Sequence, residues 1–316
     1  MFGSAKSSSL LVCLLFTMVV SACAQVNGGP ASVQAEAVRD TVTEYVHADA
    51  LVDTAWLQEH LADANVRLVE VGTNADEYAA GHLPGALYIH GVDDLTNPDD
   101  VTRGQILTGD ALSDLLSRLG ISNDDTVVFY DRSSNLWAAR AYWALKYYQH
   151  ADVRLYNGGV TRWLADGQEL GTESVAFEPT EYVAGAIDDS LRATTQYVLD
   201  HLEDSDAVMC DTRSPNEFAG TDVRAARGGH VPGAINVEWI NAVNEDGTFK
   251  DAETLYNLYT KAGFDPDKEI ITYCQTGVRG AHTWFVLSEL LGYPDVRNYD
   301  GSWEEYGNQE DTPIQS

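Results

Sequence analysis

Short apolar runs alternate with longer amphipathic stretches along most of the chain. The short runs, such as those at 127–130 and 270–273, are rich in β-branched side chains. The longer stretches have helical character and cover residues 111–119, 136–148, 194–202 and 282–291. Buried strands that alternate with helices of this length are typical of βαβ units around a parallel sheet. The pattern therefore predicts an α/β fold in which mainly parallel sheets are flanked by helices.

An internal repeat divides the chain into two copies of this pattern. The hexapeptide Gly-His-Leu-Pro-Gly-Ala at 81–86 returns as Gly-His-Val-Pro-Gly-Ala at 229–234. Each copy also closes with a glycine turn followed by an indole, which is Trp163 in the first copy and Trp303 in the second. Several matches in the same order indicate a tandem duplication, and each copy has the size of one α/β domain.

The repeat sets the predicted domain boundaries. The two domains are expected at 45–170 and 189–316, and the segment between them, 171–188, contains Pro179 and few strong helix formers. This segment is therefore predicted to be a linker. Residues 24–44 have little periodic hydrophobicity and are predicted to form a tether ahead of the first domain.

Residues 1–23 have the pattern of a signal peptide. The apolar run at 10–20 is too short to span a bilayer but has the length of a signal-peptide core. The segment ends in Val-Ser-Ala-Cys, which resembles a bacterial lipobox in which Cys23 is lipidated and anchors the protein to a membrane. Ordinary cleavage after Ala22 or Ala24 is the alternative. An exported protein is expected, either periplasmic or a membrane-anchored lipoprotein.

The charge balance restricts the kind of partner. The chain of 316 residues contains 49 acidic and 19 basic side chains, which gives a net charge of −30. Nucleic acids and anionic lipids bind to basic surfaces, so this balance argues against both as partners. An acidic exterior also means that any site for an anionic substrate must supply its own local positive field.

Two of the four cysteines belong to the folded body. Cys13 and Cys23 fall in the signal region, which leaves Cys210 and Cys274, so the protein is not a disulfide scaffold. Cys210 ends an apolar segment and is expected to be a buried small hydrophobic residue. A disulfide between Cys210 and Cys274 in an oxidising compartment stays open at this point.

Cys274 has the surroundings of a reactive thiol. It follows a predicted strand, and ligands of open α/β sheets bind beyond the carboxyl ends of the strands. A helix is predicted to begin close behind, at Ala281 or His282. The amides of a tight loop before a helix converge on an anion and favour the reactive thiolate. Arg279 adds a fixed positive charge.

The length of this loop narrows the chemistry. Four residues, 275–278, separate Cys274 from Arg279. Cysteine phosphatases and related arsenate reductases place five residues between the cysteine and the arginine, and their loop encloses a tetrahedral oxyanion. The smaller loop suits a sulfur atom carried on the thiolate, which is a persulfide.

The second repeat resembles a rhodanese in several motifs. They lie at 211–218, 227–234, 274–279 and 298–303. Together with the repeat, they make the chain similar to a two-domain rhodanese over residues 45–316. The resemblance implies two tandem rhodanese-like domains and a double displacement, in which Cys274 takes the outer sulfur of a donor and passes it to cyanide or a thiol. It implies no metal or organic cofactor.

The same resemblance favours thiosulfate as the donor. Relatives specific for mercaptopyruvate carry Cys-Gly-Ser/Thr-Gly-Val-Thr in the loop, whereas this chain has Gln275 and Arg279, as bacterial thiosulfate sulfurtransferases do. It also has Glu217 before Phe218, where the mercaptopyruvate relatives have arginine. A 3-mercaptopyruvate sulfurtransferase, a persulfide carrier and a thiosulfate-binding sensor remain alternatives. The sequence does not indicate an oligomeric state.

The predicted site combines catalytic and substrate-binding residues. Cys274 and Arg279 are predicted to be catalytic. The substrate-binding residues are predicted to be Gln275, Thr276, Gly277 and Val278 through their amides, and Arg213, Arg227 and Trp239 through their side chains, with Arg224 extending the positive patch. For the arginines the alternative is a structural salt bridge, and for Trp239 it is a place in the core. The first copy has Asp131 at the position of Cys274; because a carboxylate cannot carry a persulfide, this copy is predicted to be catalytically silent.

Overall fold

The computed structural model describes residues 42–316. The predicted signal peptide at 1–23, with Cys23, and most of the predicted tether at 24–44 lie outside the described residues. Within the described part of the chain, no helix is long and apolar enough to cross a membrane.

The described chain forms two α/β halves, each built on a five-stranded parallel sheet. The strands of the first half are β1 (Leu51–Val52), β2 (Val66–Gly72), β3 (Leu87–His90), β4 (Thr126–Tyr130) and β5 (Asp152–Tyr156). Those of the second half are β6 (Arg192–Ala193), β7 (Ala207–Asp211), β8 (Ile235–Asn236), β9 (Glu269–Tyr273) and β10 (Val296–Tyr299). The order is β1-β5-β4-β2-β3 in one sheet and β6-β10-β9-β7-β8 in the other. The predicted α/β fold with parallel sheets is confirmed, and the identical strand order follows from the duplication.

Helices cover the faces of both sheets. In the first half they are α1 (Thr54–His60), α2 (Ala75–Ala80), α3 (Gly109–Arg118), α4 (Leu136–Tyr147) and α5 (Gly159–Ala165). In the second half they are α6 (Thr195–Asp200), α7 (Pro215–Phe218), α8 (Ala252–Ala262), α9 (Val278–Trp284) and α10 (Ser302–Tyr306). A π-helical segment, Phe285–Leu290, continues α9. Short 3-10 turns lie at Ala48–Ala50, Asp189–Leu191 and Trp239–Ala242.

The central strand of each sheet ends directly before one of the two aligned loop residues, Asp131 or Cys274. β4 lies between β5 and β2, and β9 lies between β10 and β7. All five residues of β4 are buried, as a strand covered on both faces requires. Asp131 follows β4 and Cys274 follows β9, so both emerge at the middle of a carboxyl edge.

The helices that follow these two residues begin in an unusual way. Most other helices of the described chain start from a side-chain cap; Asp53, for example, accepts a hydrogen bond from the Trp56 amide. The N-cap residues of α4 and α9 provide no side-chain cap, and each lies in the left-handed region, Asn135 at φ 66° and Gly277 at φ 76°. The first-turn amides of both helices therefore face the loop in front of them. The helix predicted to begin at Ala281 or His282 begins at Val278 instead, because the left-handed Gly277 turns the chain directly into it.

The two halves share a continuous core. The helices α4 and α9 pack against each other, and the ring of Tyr142 lies edge-on to Phe285 with centroids 4.8 Å apart. The segment predicted to be a linker, 171–188, runs along the first half, where the amide of Gly185 donates to the carbonyl of Tyr148.

In each half, one segment covers the loop that follows the central strand of the other half. The segment between β3 and α3 reaches the second half, where a Cβ added to Gly104 would lie 2.8 Å from Cβ of Thr276. The segment between β8 and α8 reaches the first half, where Nδ2 of Asn135 donates to the carbonyl of Gly247 at 3.0 Å. The surroundings of Cys274 are therefore built from both halves.

Candidate active site

Cys274 and the residues that follow it to Val278, here called the Cys274 loop, are held by the turn after β10. The amides of Cys274 and Gly277 both donate to Oγ of Ser302 at 3.0 Å, and this oxygen donates to the carbonyl of Tyr299 at 2.7 Å. The amide of Trp303 donates to the carbonyl of Cys274 at 3.0 Å. The thiol is fully buried. Sequence reasoning quoted the motif that contains Ser302 but did not assign it this role.

Arg279 lies beside Cys274 and is held by Glu217. Its two terminal nitrogens donate to the two carboxylate oxygens of Glu217 at 2.8 and 2.9 Å. Burial would raise the pKa of Glu217, but the hydrogen bonds and charge of Arg279 outweigh burial and lower this pKa to about 2. Burial lowers the pKa of Arg279, whereas Glu217 and Cys274 together raise it above its usual value. Arg279 is therefore a permanent cation at the thiol.

Glu217 is itself fixed by the helix on which it lies. It forms a capping box at the start of α7, since its amide donates to Oγ of Ser214 and its carboxylate accepts from the Ser214 amide at 3.0 Å. The carboxylate also lies 3.6 Å from the guanidinium of Arg224. One buried carboxylate thus lies between two cations, of which Arg224 is also paired with Asp222 at 2.6 Å.

A cavity of about 380 Å³ between the halves reaches the Cys274 loop. Its lining consists of Val92, Thr96, Arg103, Gly104 and Trp137 from the first half, and Arg224, Gln275, Thr276 and Val278 from the second. Two larger cavities, of about 550 and 520 Å³, are lined by other parts of the chain and do not touch this loop. We assign the site to the smaller cavity because it alone of the three is lined by residues of the Cys274 loop. It ends at the loop residues, since Cys274 itself is covered.

The structure does not bring Arg213 to this cavity, although it was predicted to bind substrate. Its Nη2 lies 2.6 Å from a carboxylate oxygen of Asp211, and both side chains are buried. The guanidinium also donates to the carbonyl of Gly229 and lies 4.4 Å from the ring centroid of Trp303. Nε and Nη2 are used in these contacts and the ring of Trp303 covers the guanidinium, so Arg213 forms a structural salt bridge, the alternative to substrate binding.

Replacing Arg213 with methionine is expected to lower stability without changing substrate use. Removing one partner of a buried ion pair costs about 3–5 kcal/mol, because the other charge stays buried without compensation. Urea unfolding measures the loss, and the KM for thiosulfate is expected to stay within about twofold of the wild type. The R213M/D211N double variant is the control, expected to regain part of the stability. A stable R213M protein with a raised KM would restore the predicted substrate contact.

Arg227 and Trp239 also lie away from the cavity. Arg227 donates to backbone carbonyls of the C-terminal segment, including that of Thr312 at 2.8 Å, and so fastens that segment. The indole of Trp239 lies edge-on to His282 at 5.0 Å. The indole at the cavity is Trp137, from the first half. No local sequence pattern could have shown that Trp137 rather than Trp239 lines the cavity, because this depends on how the halves pack.

The corresponding loop of the first half, residues 131–135, already contains an anion, the carboxylate of Asp131. The Asp131 carboxylate accepts four amide hydrogen bonds, from Ser133, Asn135, Trp137 and Ala138, at 2.7–3.0 Å. Burial raises the pKa of Asp131, and the four amides oppose this effect. An internal anion thus fills the cradle that precedes α4.

Cys210 has no part in this site. It is buried in β7, and burial raises the pKa of its thiol well above the usual value. Both Cys210 and Cys274 are free thiols in the structure, so the open question of a disulfide is answered by two unpaired residues. Among residues 42–316, no group of three or more His, Cys, Asp or Glu could hold a metal ion.

Comparison with known proteins agrees with this architecture. The family model described as rhodanese-like domain matches residues 53–166 and 194–309. The sulfur carrier protein TtuD of Thermus thermophilus is 44% identical over 281 residues, which cover 85% of this chain and 98% of that protein. The thiosulfate sulfurtransferase of Corynebacterium glutamicum is 40% identical over 283 residues, 86% of this chain and 92% of that one.

A solved structure extends the similarity to three dimensions. The anaerobic ergothioneine biosynthesis enzyme from Chlorobium limicola, in complex with trimethyl histidine, superposes with a TM-score of 0.79 at 25% identity. The match covers 86% of this chain and 71% of that one. Two matched domains, two sheets of one topology and a thiol at the carboxyl edge of the second sheet lead to one conclusion. The chain belongs to the rhodanese family, as a tandem-domain sulfurtransferase of the thiosulfate sulfurtransferase type.

Proposed function

We propose that the protein is a thiosulfate sulfurtransferase that carries sulfane sulfur as a persulfide on Cys274. The observation that carries the proposal is the position of Cys274 at the uncapped N-terminus of α9, with Arg279 beside it. Backbone amides and a fixed cation at this point stabilise a thiolate before the reaction and a persulfide anion after it.

The first displacement uses the thiolate as nucleophile. The Cys274 sulfur attacks the outer sulfur of thiosulfate, the sulfur–sulfur bond of thiosulfate breaks, and its electron pair leaves with sulfite. Arg279, held by Glu217, lies beside the sulfur on which charge develops. No external oxidant or reductant is needed, because sulfite leaves with the electrons of the broken bond.

The second displacement regenerates the enzyme. The acceptor, cyanide or a thiolate, attacks the terminal sulfur of the persulfide, and the Cys274 thiolate leaves. The cavity of about 380 Å³ is much larger than cyanide, and its wall combines Trp137 and Val92 with Arg103, an exposed cation that lies 3.2 Å from Glu304 and that a carboxylate of the acceptor would have to share with it. Such a wall suits an organic thiol that bears a carboxylate, and we favour this class as the acceptor.

The first half has no second persulfide site in this proposal. Asp131 already occupies the amide cradle of its loop with a carboxylate, so an external anion would have to displace it. We therefore refer to it as the silent half. Its contribution is the wall of the cavity, through residues such as Trp137.

A persulfide carrier is the second candidate. Full burial of Cys274 favours it, because a covered persulfide is protected from small thiols in solution. Poor turnover with cyanide, despite ready formation of the persulfide, would distinguish a carrier from an enzyme.

The test is intact mass after incubation of the protein with thiosulfate. A gain of ~32 Da and release of about one sulfite per chain are expected, followed by loss of the added mass when cyanide or a thiol is supplied. A protein that gains mass from 3-mercaptopyruvate but not from thiosulfate would change the assigned donor. Binding of thiosulfate without release of sulfite would indicate a binding protein instead.

We also propose, from the pattern of residues 1–23 alone, that the protein is exported. The mass of the N-terminal peptide of the mature protein distinguishes a lipidated Cys23 from an unmodified terminus after Ala22 or Ala24.

A further inference from the structure

A fully buried ion pair joins the silent half to the Cys274 loop. Arg140, on α4, has Nη1 2.7 Å from Oδ1 of Asp300, which directly follows β10. Both side chains are completely buried. The angle of this contact is too oblique for a good hydrogen bond, so it is mainly electrostatic. Arg192 adds a second cation, 3.4 Å from the other carboxylate oxygen.

The pair packs directly against the loop that holds the thiol. A Cβ added to Gly277 would lie 2.9 Å from Oδ1 of Asp300 and 3.1 Å from Nη1 of Arg140. Gly277 is the left-handed residue that begins α9, and its amide shares Ser302 Oγ with the amide of Cys274. A shift of Arg140 or Asp300 would therefore change the conformation of Gly277 and the direction of the first-turn amides.

The duplication supplies an internal comparison for this pair. Arg140 is the fifth residue of α4, and the fifth residue of α9 is His282. Asp300 follows β10 as Asn157 follows β5. The amide of Ile106 donates to Asp300 at 2.8 Å, and the amide of Phe249 donates to Asn157 at 3.0 Å, so the two sets are equivalent.

Each member of the set Arg140, Arg192 and Asp300 has an uncharged counterpart behind the Asp131 loop, and the counterpart of Asp300 is Asn157. Burial lowers the pKa of His282 to about 3, so this residue is neutral in ordinary buffers. Among the described residues its ring nitrogens have no well-formed hydrogen bond. The counterpart of Arg192, at the first position of β6, is Leu51, at the first position of β1. Two cations and one anion are thus found only behind the loop that carries the thiol.

Stability alone does not account for a pair of this kind. Buried ion pairs lose hydration, and apolar replacements of similar volume are often neutral or stabilising. The neutral set behind the Asp131 loop shows that this interface can be built without charge. The charged set instead places a carboxylate and a guanidinium against Gly277, so its consequence lies in the geometry of the Cys274 loop.

We propose that Arg140 is a positioning residue for the Cys274 loop, through which the silent half sets the reactivity of the thiol. It acts through Asp300 and Gly277 rather than by contact with substrate. The inference rests on the proposed function only in taking Cys274 as the reacting group.

The test compares R140M and R140K with the wild type in two measurements. The first is the rate of alkylation of Cys274 by iodoacetamide as a function of pH, followed by the mass of the peptide that carries Cys274. The second is the kcat and KM with thiosulfate and cyanide. For R140M we expect alkylation at neutral pH about tenfold slower and kcat about tenfold lower, with a smaller change in KM. R140K keeps the charge and is expected to recover most of both rates.

Two further variants separate positioning from folding. R140M/D300N removes both fully buried charges, and only the partly exposed Arg192 loses a partner, so this protein is expected to fold even where R140M does not, and to remain slow. N157A changes the equivalent position at the Asp131 loop and is expected to leave both rates unchanged. Three other charged groups near the thiol also act on its pH profile, and all three are unchanged in these variants: Arg279, Glu217 and Arg192.

Two results would overturn the inference. One is a folded R140M/D300N protein whose alkylation profile and kcat equal those of the wild type. The other is an N157A protein with the same loss as R140M. Alkylation does not require sulfur transfer. A wild-type protein that is alkylated normally but gains no sulfur from thiosulfate would therefore refute the proposed function. The alkylation rates of the variants would still test the role of Arg140.

Discussion

Replacing Cys274 with alanine is expected to abolish sulfur transfer. The variant has no nucleophile for the outer sulfur of thiosulfate, and neither Asp131 nor the buried Cys210 can take over the role. We expect no ~32 Da adduct and a fall in turnover of at least about 1,000-fold. Intact mass and thiocyanate formation measure the two effects.

C210A is the matched control for this variant. Cys210 is equally buried but lies in β7, away from the cavity, and its replacement by alanine removes only one sulfur atom. Full adduct formation is expected in C210A. An adduct of normal mass in C274A, or sulfite released by it at the wild-type rate, would show that another residue carries the sulfur.

Replacing Arg279 with methionine is expected to give the second-largest loss of activity. The guanidinium is the cation beside Cys274, and removal of one preorganised charge at a reacting group costs about 100-fold in rate. The change also leaves Glu217 buried without its bidentate partner, so stability is expected to fall by about 3 kcal/mol. Thiosulfate kinetics and urea unfolding measure these effects separately.

The double variant E217Q/R279M separates the two losses. With both charges removed, stability is expected to recover, whereas activity stays low because the cation is still missing. Recovery of activity in this protein would mean that Arg279 only compensates Glu217.

The same pair predicts how stability depends on pH. The pKa of Glu217 is lowered to about 2 in the folded protein, so its pairing stabilises the fold above the usual glutamate pKa of about 4.3. This contribution is lost as the pH falls toward about 2. Wild type and double variant are therefore expected to differ least in acid, and activity near neutral pH is not expected to depend on titration of Glu217.

The fold and the central residue of the site were accessible from the sequence for a physical reason. Strands that are buried on both faces of a parallel sheet require continuous apolar runs, and the helices between them require apolar residues at helical spacing. Short stretches of sequence therefore reveal the α/β class. Alignment of the two copies then showed that Cys274 corresponds to Asp131. Both emerge where ligands of such sheets bind, at the carboxyl end of the central strand.

The local geometry of the loop was less accessible. The helix after Cys274 was predicted at Ala281 or His282 but begins at Val278, so Arg279 lies in its first turn. Gly277 permits this start because it adopts a left-handed conformation, which a pattern of apolar positions does not encode.

The partners of the site were decided only by tertiary structure. The sequence determined which strand carries the thiol and that a cation follows it. It could not determine that Arg213 and Arg227 are consumed by structural contacts, or that Trp137 and Arg140 reach the site from the other half. A charge or an indole has no local preference for one partner over another. Its role depends on which groups the packed chain brings within a few ångströms and removes from water.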